Sequence, residues 1–205
     1  MVNEKWDKMS APEYIQFTKE WLAECYRVLK PHGSIYISCT YHNIGELMMT
    51  LKTLGFLPRN IVTWHKNNAM PSMTKRAFTH SCEYILFFSK GKKWIFNYDK
   101  MKKINPEKAI DGSQKQMRDF WIIPVCQGKE RLRDKTGRAA HPTQKPEVLL
   151  ERVILASSNN GDVVLDPFLG SGTTAAVAKR LGRNWIGIET DNKYIKMAQK
   201  RIGGA

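Results

Sequence analysis

The sequence predicts an α/β domain whose sheet is mainly parallel, and three observations carry that prediction. Short apolar runs of strand length alternate with amphipathic stretches at helical spacing in both halves of the chain. Around Asp162 to Leu181 a strand runs straight into a glycine turn and then into a helix. The next strand ends in an acid, Glu189.

The elements follow in order. Ser10-Ala-Pro-Glu13 has the spacing of a capping box with proline in the first turn. Tyr14, Phe17, Trp21, Leu22, Cys25, Val28 and Leu29 then recur with helical period. The helix stops at Lys30-Pro-His-Gly33, and Ser34-Ile-Tyr-Ile-Ser38 has the brevity and branched content of a buried strand. A helix over about Ile44 to Leu54 ends at Gly55, and Asn60 to Trp64 is the next strand. From Lys66 to about Ala140 the rhythm breaks. Here Tyr84 to Phe88 and Trp94 to Phe96, on either side of Lys-Gly-Lys, predict a hairpin around Gly91. Alternation then resumes with a helix opened by Pro146, a strand Asp162 to Asp166, a helix Thr173 to Leu181, a strand Trp185 to Ile188 and a last helix from Lys193. The expected organisation is one domain over 1–205, with 66–140 inserted in it.

The 205 residues suffice for one core, and 42% hydrophobic with 25% charged residues is the composition of a folded chain. The 33 Lys and Arg against 19 Asp and Glu leave a formal +14, which favours a polyanionic partner, nucleic acid first. Cys25, Cys39, Cys82 and Cys126 lie far apart without a CxxC pair and read as reduced thiols of a cytoplasmic protein. No apolar run is long enough to span a bilayer, and no His, Cys and Asp cluster has metal spacing.

Gly170 and Gly172 let the backbone pass close to a ligand, and the helix N-terminus behind them offers unpaired N–H donors. Glu189 stands where α/β nucleotide-binding folds place an acid against ribose hydroxyls. The G-x-G-x-x-G pyrophosphate spacing is missing, because Thr173, Thr174 and Ala175 follow Gly172, which disfavours a dinucleotide oxidoreductase.

Asp166-Pro-Phe-Leu-Gly-Ser-Gly-Thr-Thr174, preceded by His141-Pro-Thr-Gln-Lys-Pro146, resembles the paired cofactor motifs of DNA amino-methyltransferases in which the cofactor motif follows the target-recognition region. Within that group the chain is similar to the DpnA-type adenine methyltransferases of restriction systems, from Trp6-Asp7-Lys8 through Thr79-His-Ser81 to Arg201. The resemblance implies a Rossmann-like fold that binds S-adenosylmethionine. It implies that Asp166, Pro167, Phe168, Gly170, Ser171, Gly172 and Thr173 line that cofactor and that Glu189 holds its ribose. His141, Thr143, Gln144 and Lys145 would close over its methionine end, where Lys145 suits the carboxylate.

Methylating an exocyclic amine requires acceptors that hold the NH₂ in line with the methyl sulfonium, and an aromatic face for the flipped base. The family uses Asp, Asn or Ser, then Pro-Pro, then an aromatic, and this sequence contains no Pro-Pro dipeptide. The catalytic residues are therefore unassigned. The family places that tetrapeptide upstream of the segment resembling Trp6-Asp7-Lys8, so the expectation is a truncated, separately encoded or degenerate piece.

The insertion is expected to carry the DNA contacts: Lys66, Asn67, Lys75, Arg76, Arg131 and Arg133 foremost, with Lys90, Lys92 and Lys93 also available to phosphates. Trp64 reads either as a core aromatic or as a neighbour of the flipped base. Adenine N6 is the implied target. N4-cytosine methylation, a non-catalytic DNA- or cofactor-binding protein and RNA methylation stay open as alternatives, and the oligomeric state stays open to a homodimer.

Overall fold

The computed structural model describes residues 9–204, so the Trp6-Asp7-Lys8 stretch lies outside the described residues. The chain divides into two compact units. The first takes the residues up to His65 with Ser81–Ile95 and Asp119–Trp121; the second takes Lys66–His80, Phe96–Arg118 and everything from Ile122.

In the first unit, helix α1 (Ala11–Val28) starts at the predicted capping box: Ser10 N–H and Oγ both donate to Glu13 Oε2, at 2.8 and 2.7 Å. Strand β1 (Ser34–Cys39), helix α2 (Ile44–Thr53) and strand β2 (Leu57–His65) follow, and β2 begins three residues before its predicted start. Strand β3 (Cys82–Ser89) inserts between β1 and β2 and pairs antiparallel with both; the short β4 (Phe120–Ile122) lies beyond β2. Chain connection explains the directions. A helical crossover lets β1 and β2 run the same way, whereas β3 arrives without a crossover helix and runs against them. Leu22, Leu47, Leu51, Phe56, Leu86 and Phe88 form the core, each fully buried apolar side chain contributing about 1.5–3 kcal/mol. Trp64 is 2% exposed, which is the core reading of that residue.

The predicted hairpin does not form, because Trp94 to Phe96 is not a strand. Its turn is held by other partners. A register shift between Pro58 and Asn60 turns Arg59 out of the ladder, so that Arg59 Nε donates to Ser89 Oγ, its Nη2 donates to Gly91 O, and its guanidinium stacks 3.4 Å over Trp94. The Ile95 N–H donates to His32 O rather than back to β3.

In the second unit, α4 (Glu147–Ser157), β5 (Val163–Asp166), α5 (Thr173–Arg180), β6 (Asn184–Gly187) and α6 (Asn192–Gly203) appear in the predicted order. β5 and β6 pair in parallel, as their crossover through α5 requires. Ile154, Val177 and Ala178 pack with Leu150, Val164 and Leu181, while Ala175 and Ala176 of α5 meet Ala198 and Ile202 of α6. The inserted stretch is more ordered than its polar composition suggests. It contains helix α3 (Tyr98–Ile104), packed on α4, and two turns in which Asp111 and Asp134 each accept a backbone N–H two residues on. Asn97 joins α3 to α4 by donating its amide to Leu155 O and Ser158 O, carbonyls that the end of α4 leaves unpaired.

Candidate functional site

The motif residues gather in the second unit around the junction of β5 and α5. Asp166 ends β5 and accepts the Phe168 N–H at 3.0 Å, which turns the chain sharply out of the strand. The chain returns through Leu169, whose N–H donates to Ile188 O, and Gly172 then opens α5. Both glycines have positive φ, +51° at Gly170 and +76° at Gly172, where a Cβ is strained. Space forbids one as well: at Gly170 it would come within 2.8 Å of His141 Nε2, and at Gly172 within 2.8 Å of Ala198 Cα. The turn thus brings bare backbone against the His141 loop on one side and α6 on the other. Ser171 and Thr173 are buried, their hydroxyls 3.2 Å apart.

Glu189 is the acid the sequence singled out, and the fold sets it against this turn. Its Oε2 accepts the Gly170 N–H at 2.9 Å, and its Oε1 accepts the N–H groups of Thr190 and Asp191 at 2.7 and 2.9 Å. Asp166, Gly170 and Glu189 are therefore one constellation.

The loop His141 to Pro146 adjoins it. The His141 ring packs on Tyr194 of α6, with ring centroids 4.4 Å apart, and its Nδ1 accepts the Thr143 N–H at 3.3 Å. Gln144 is turned into the protein at 4% exposure: its Oε1 accepts the Leu132 N–H and its Nε2 donates to Glu130 O. Its amide is spent on holding the loop. Lys145 is partly buried and Phe168 is 53% exposed.

Several contributors had no motif to announce them. Arg201, near the end of α6, donates from Nη1 to Thr173 Oγ1 and from Nη2 to Glu147 Oε1, both at 2.8 Å, so one guanidinium ties α6 to the starts of α5 and α4. Burial works against the charge of Glu147, but its hydrogen bonds from Arg201 and Arg180 prevail and hold its carboxyl below the usual range. Glu130 accepts the Glu147 N–H. Asn68 accepts the Val125 N–H and donates to Gln127, closing the 66–70 turn onto the chain that follows β4. The amphipathic pattern of α6 was legible, but nothing in it distinguished Arg201 from its basic neighbours.

The candidate nucleic-acid residues are dispersed over the second unit. Lys75 and Arg76 are exposed in the 66–80 segment, Lys75 at a φ of +54°, while Asn67 is exposed and Lys66 partly buried at its start. Arg131 and Arg133 lie elsewhere: Arg131 donates to Pro142 O at the base of the His141 loop, and Arg133 donates to Gly137 O within its own turn. Among the described residues no three His, Cys, Asp or Glu side chains gather as a metal site, and no helix is long and apolar enough to cross a membrane.

Comparison with known proteins points one way. Over 204 residues the chain is 47% identical to the Type II methyltransferase M.HinfI of Haemophilus influenzae, covering 98% of this chain and 55% of that one. Over 201 residues it is 46% identical to the Type II methyltransferase M2.DpnII of Streptococcus pneumoniae, covering 96% of this chain and 70% of the relative. The chain therefore spans about half the length of the first of these relatives. Its fold is that of solved methyltransferases: it matches M1.HpyAVI in complex with SAM at a TM-score of 0.74 and 33% identity, over 94% of this chain and 85% of that one. It matches the cytosine-N4-specific PvuII DNA methyltransferase at 0.77 and 21% identity, over 98% and 74%, a likeness of fold alone. The profile of the DNA methylase family extends over residues 2–200, and the chain belongs to that family.

Proposed function

We propose that this chain binds S-adenosylmethionine at the β5–α5 turn and serves a DNA methyltransferase of restriction-modification type that acts on adenine N6. The observation that carries the cofactor assignment is the constellation of Gly170, Glu189 and His141. A backbone without Cβ atoms is clamped to an acid at the next strand end, with an imidazole across the first glycine. The group fits these residues. Glu189 keeps an oxygen able to accept from a ribose hydroxyl, and the exposed ring of Phe168 offers a face for a base. His141 lies across Gly170, and Thr143 and Lys145 of the same loop are proposed to meet the methionine end, with Lys145 suited to its carboxylate. Gln144 acts on the loop's position.

S-adenosylmethionine supplies an electrophilic methyl group on a sulfonium. The chain's own residues would orient that donor and restrict its conformations: Glu189 would hold its ribose and the His141 to Lys145 loop its methionine end. The groups that hold the exocyclic amine of the base are proposed to come from outside the residues assigned here, since the sequence has no Pro-Pro tetrapeptide of the family type. Lys66, Asn67, Lys75, Arg76, Arg131 and Arg133 are proposed DNA contacts, and 66–140 the inserted target-recognition region of a single domain.

Calorimetric titration with S-adenosylmethionine tests the reading, with Glu189→Gln expected to weaken binding at least tenfold. Wild-type affinity weaker than millimolar would overturn the cofactor assignment. Labelled-methyl transfer, followed by nucleoside separation, distinguishes N6-methyladenine from the N4-methylcytosine alternative.

A further inference from the structure

We propose that a basic cavity between the 131–140 turn and the outer face of α6 is a second contact for the DNA backbone, separate from the candidate cofactor turn. The cavity measures about 530 Å³, and none of Asp166 to Thr173, Glu189 or His141 to Lys145 lines it. Five cationic side chains do, Arg133, Lys135, Lys193, Lys200 and Arg201, against a single carboxylate, Asp134.

That carboxylate offsets one of the five charges, and its own turn fixes where it sits. Asp134 Oδ1 accepts the Thr136 N–H, the Thr136 hydroxyl and the Arg138 N–H, all within its own turn, at 2.8, 2.7 and 3.1 Å. Arg201 is committed to Glu147 and Thr173 and serves as a fixed wall. Lys135 and Lys200 are exposed and form no ion pair among the described residues. Five cations around a shared hollow against one acid, with Lys135 and Lys200 engaged in no ion pair among the described residues, set up a net positive potential that attracts a polyanion. Leu132, Ala140 and Met197 give the hollow an apolar floor, on which a deoxyribose can rest while its flanking phosphates meet the ammonium groups. Charge complementarity thus selects the sugar–phosphate backbone, a contact that positions DNA without reading its sequence.

The inference rests on the DNA reading above, and the test separates the two. Anisotropy of a fluorescein-labelled 30-base-pair duplex is followed from about 50 to 200 mM salt for the wild-type chain and for the double variant Lys135→Gln/Lys200→Gln. Loss of two phosphate contacts is expected to lower the slope of log K against log salt by about 1.8 and the affinity loss across that range by roughly tenfold, whatever the duplex sequence. S-adenosylmethionine affinity and melting temperature should be unchanged, since neither lysine touches the glycine turn. A wild-type slope retained in the double variant overturns the cavity as a DNA contact while leaving the DNA reading standing. Absence of duplex binding by the wild type overturns both.

Discussion

Strands β3 and β5 are both apolar, yet they live in different surroundings. In β3, Leu86 and Phe88 are completely buried, with strands on both sides and α1 and α2 residues packed against them. In β5 and its partner β6, only one face is covered. Val164 packs with Ile154 and Val177, whereas Val163 and Ile186 are each 54% exposed. Register sets Leu165 opposite Ile186, so the apolar side chains of the open face line up instead of cancelling. The comparison teaches that an apolar run reports how a strand is composed, and that burial is decided by the layers placed over it.

The largest expected effect tests the buried side. Leu86→Ala should cost about 2–5 kcal/mol in urea unfolding, against less than about 1 for Leu165→Ala; similar losses would break the contrast. Next comes the turn that follows β5. Gly172→Ala puts a Cβ at positive φ against the α6 backbone, and should cost about 1–2 kcal/mol along with cofactor affinity. A wild-type melting temperature in that variant would show that α6 yields freely.

Glu147→Gln should cost about 1 kcal/mol, because the carboxylate is partly solvated even though Arg201 is not. Its carboxyl is held low in the folded state, so its contribution is present above the ordinary value of 4.5 and is lost as pH falls through the depressed one. The wild-type advantage over the glutamine variant should therefore shrink in acid; an advantage that persists at pH 2 contradicts the ion-pair account. Cys126 works at the other end of the scale. Burial, with Glu130 nearby, pushes its thiol from 9.0 up to about 11, so the unfolded chain releases this proton first. Stability should decline between pH 9 and 11, and less so in Cys126→Ala. The smallest effect belongs to the open face, where Val163→Thr should change stability by less than about 0.5 kcal/mol and reduce binding of an apolar dye.

Much of this was legible beforehand where local chemistry and tertiary structure agree. Ser10 and Glu13 mark the start of α1, and Asp162 to Glu189 spell out strand, turn, helix and acid in an order that folding preserves. What failed to show were choices made by distant partners. Nothing near Trp94 says that Arg59 will take it, so a hairpin was expected where a cation–π contact forms. Helix α3 hides in a Lys-rich segment because its cap, Asn97, bonds to another helix's end and not to its own. The site divides in the same way: Gly170, Gly172 and Glu189 stand out by spacing, whereas Arg201 acquires its place only when α4, α5 and α6 come together.

The three N–H groups that grip Glu189 have one more consequence. A carboxylate on a flexible side chain must be immobilised when a sugar hydroxyl binds it, at about 0.5–1.5 kcal/mol. Here folding has done so already: Oε1 spends both its lone pairs on the Thr190 and Asp191 amides, and Oε2, bonded once to Gly170, retains one for a donor. Because one of the grips is the Gly170 amide, the acid and the turn form a single unit, and a displacement of either draws the other with it.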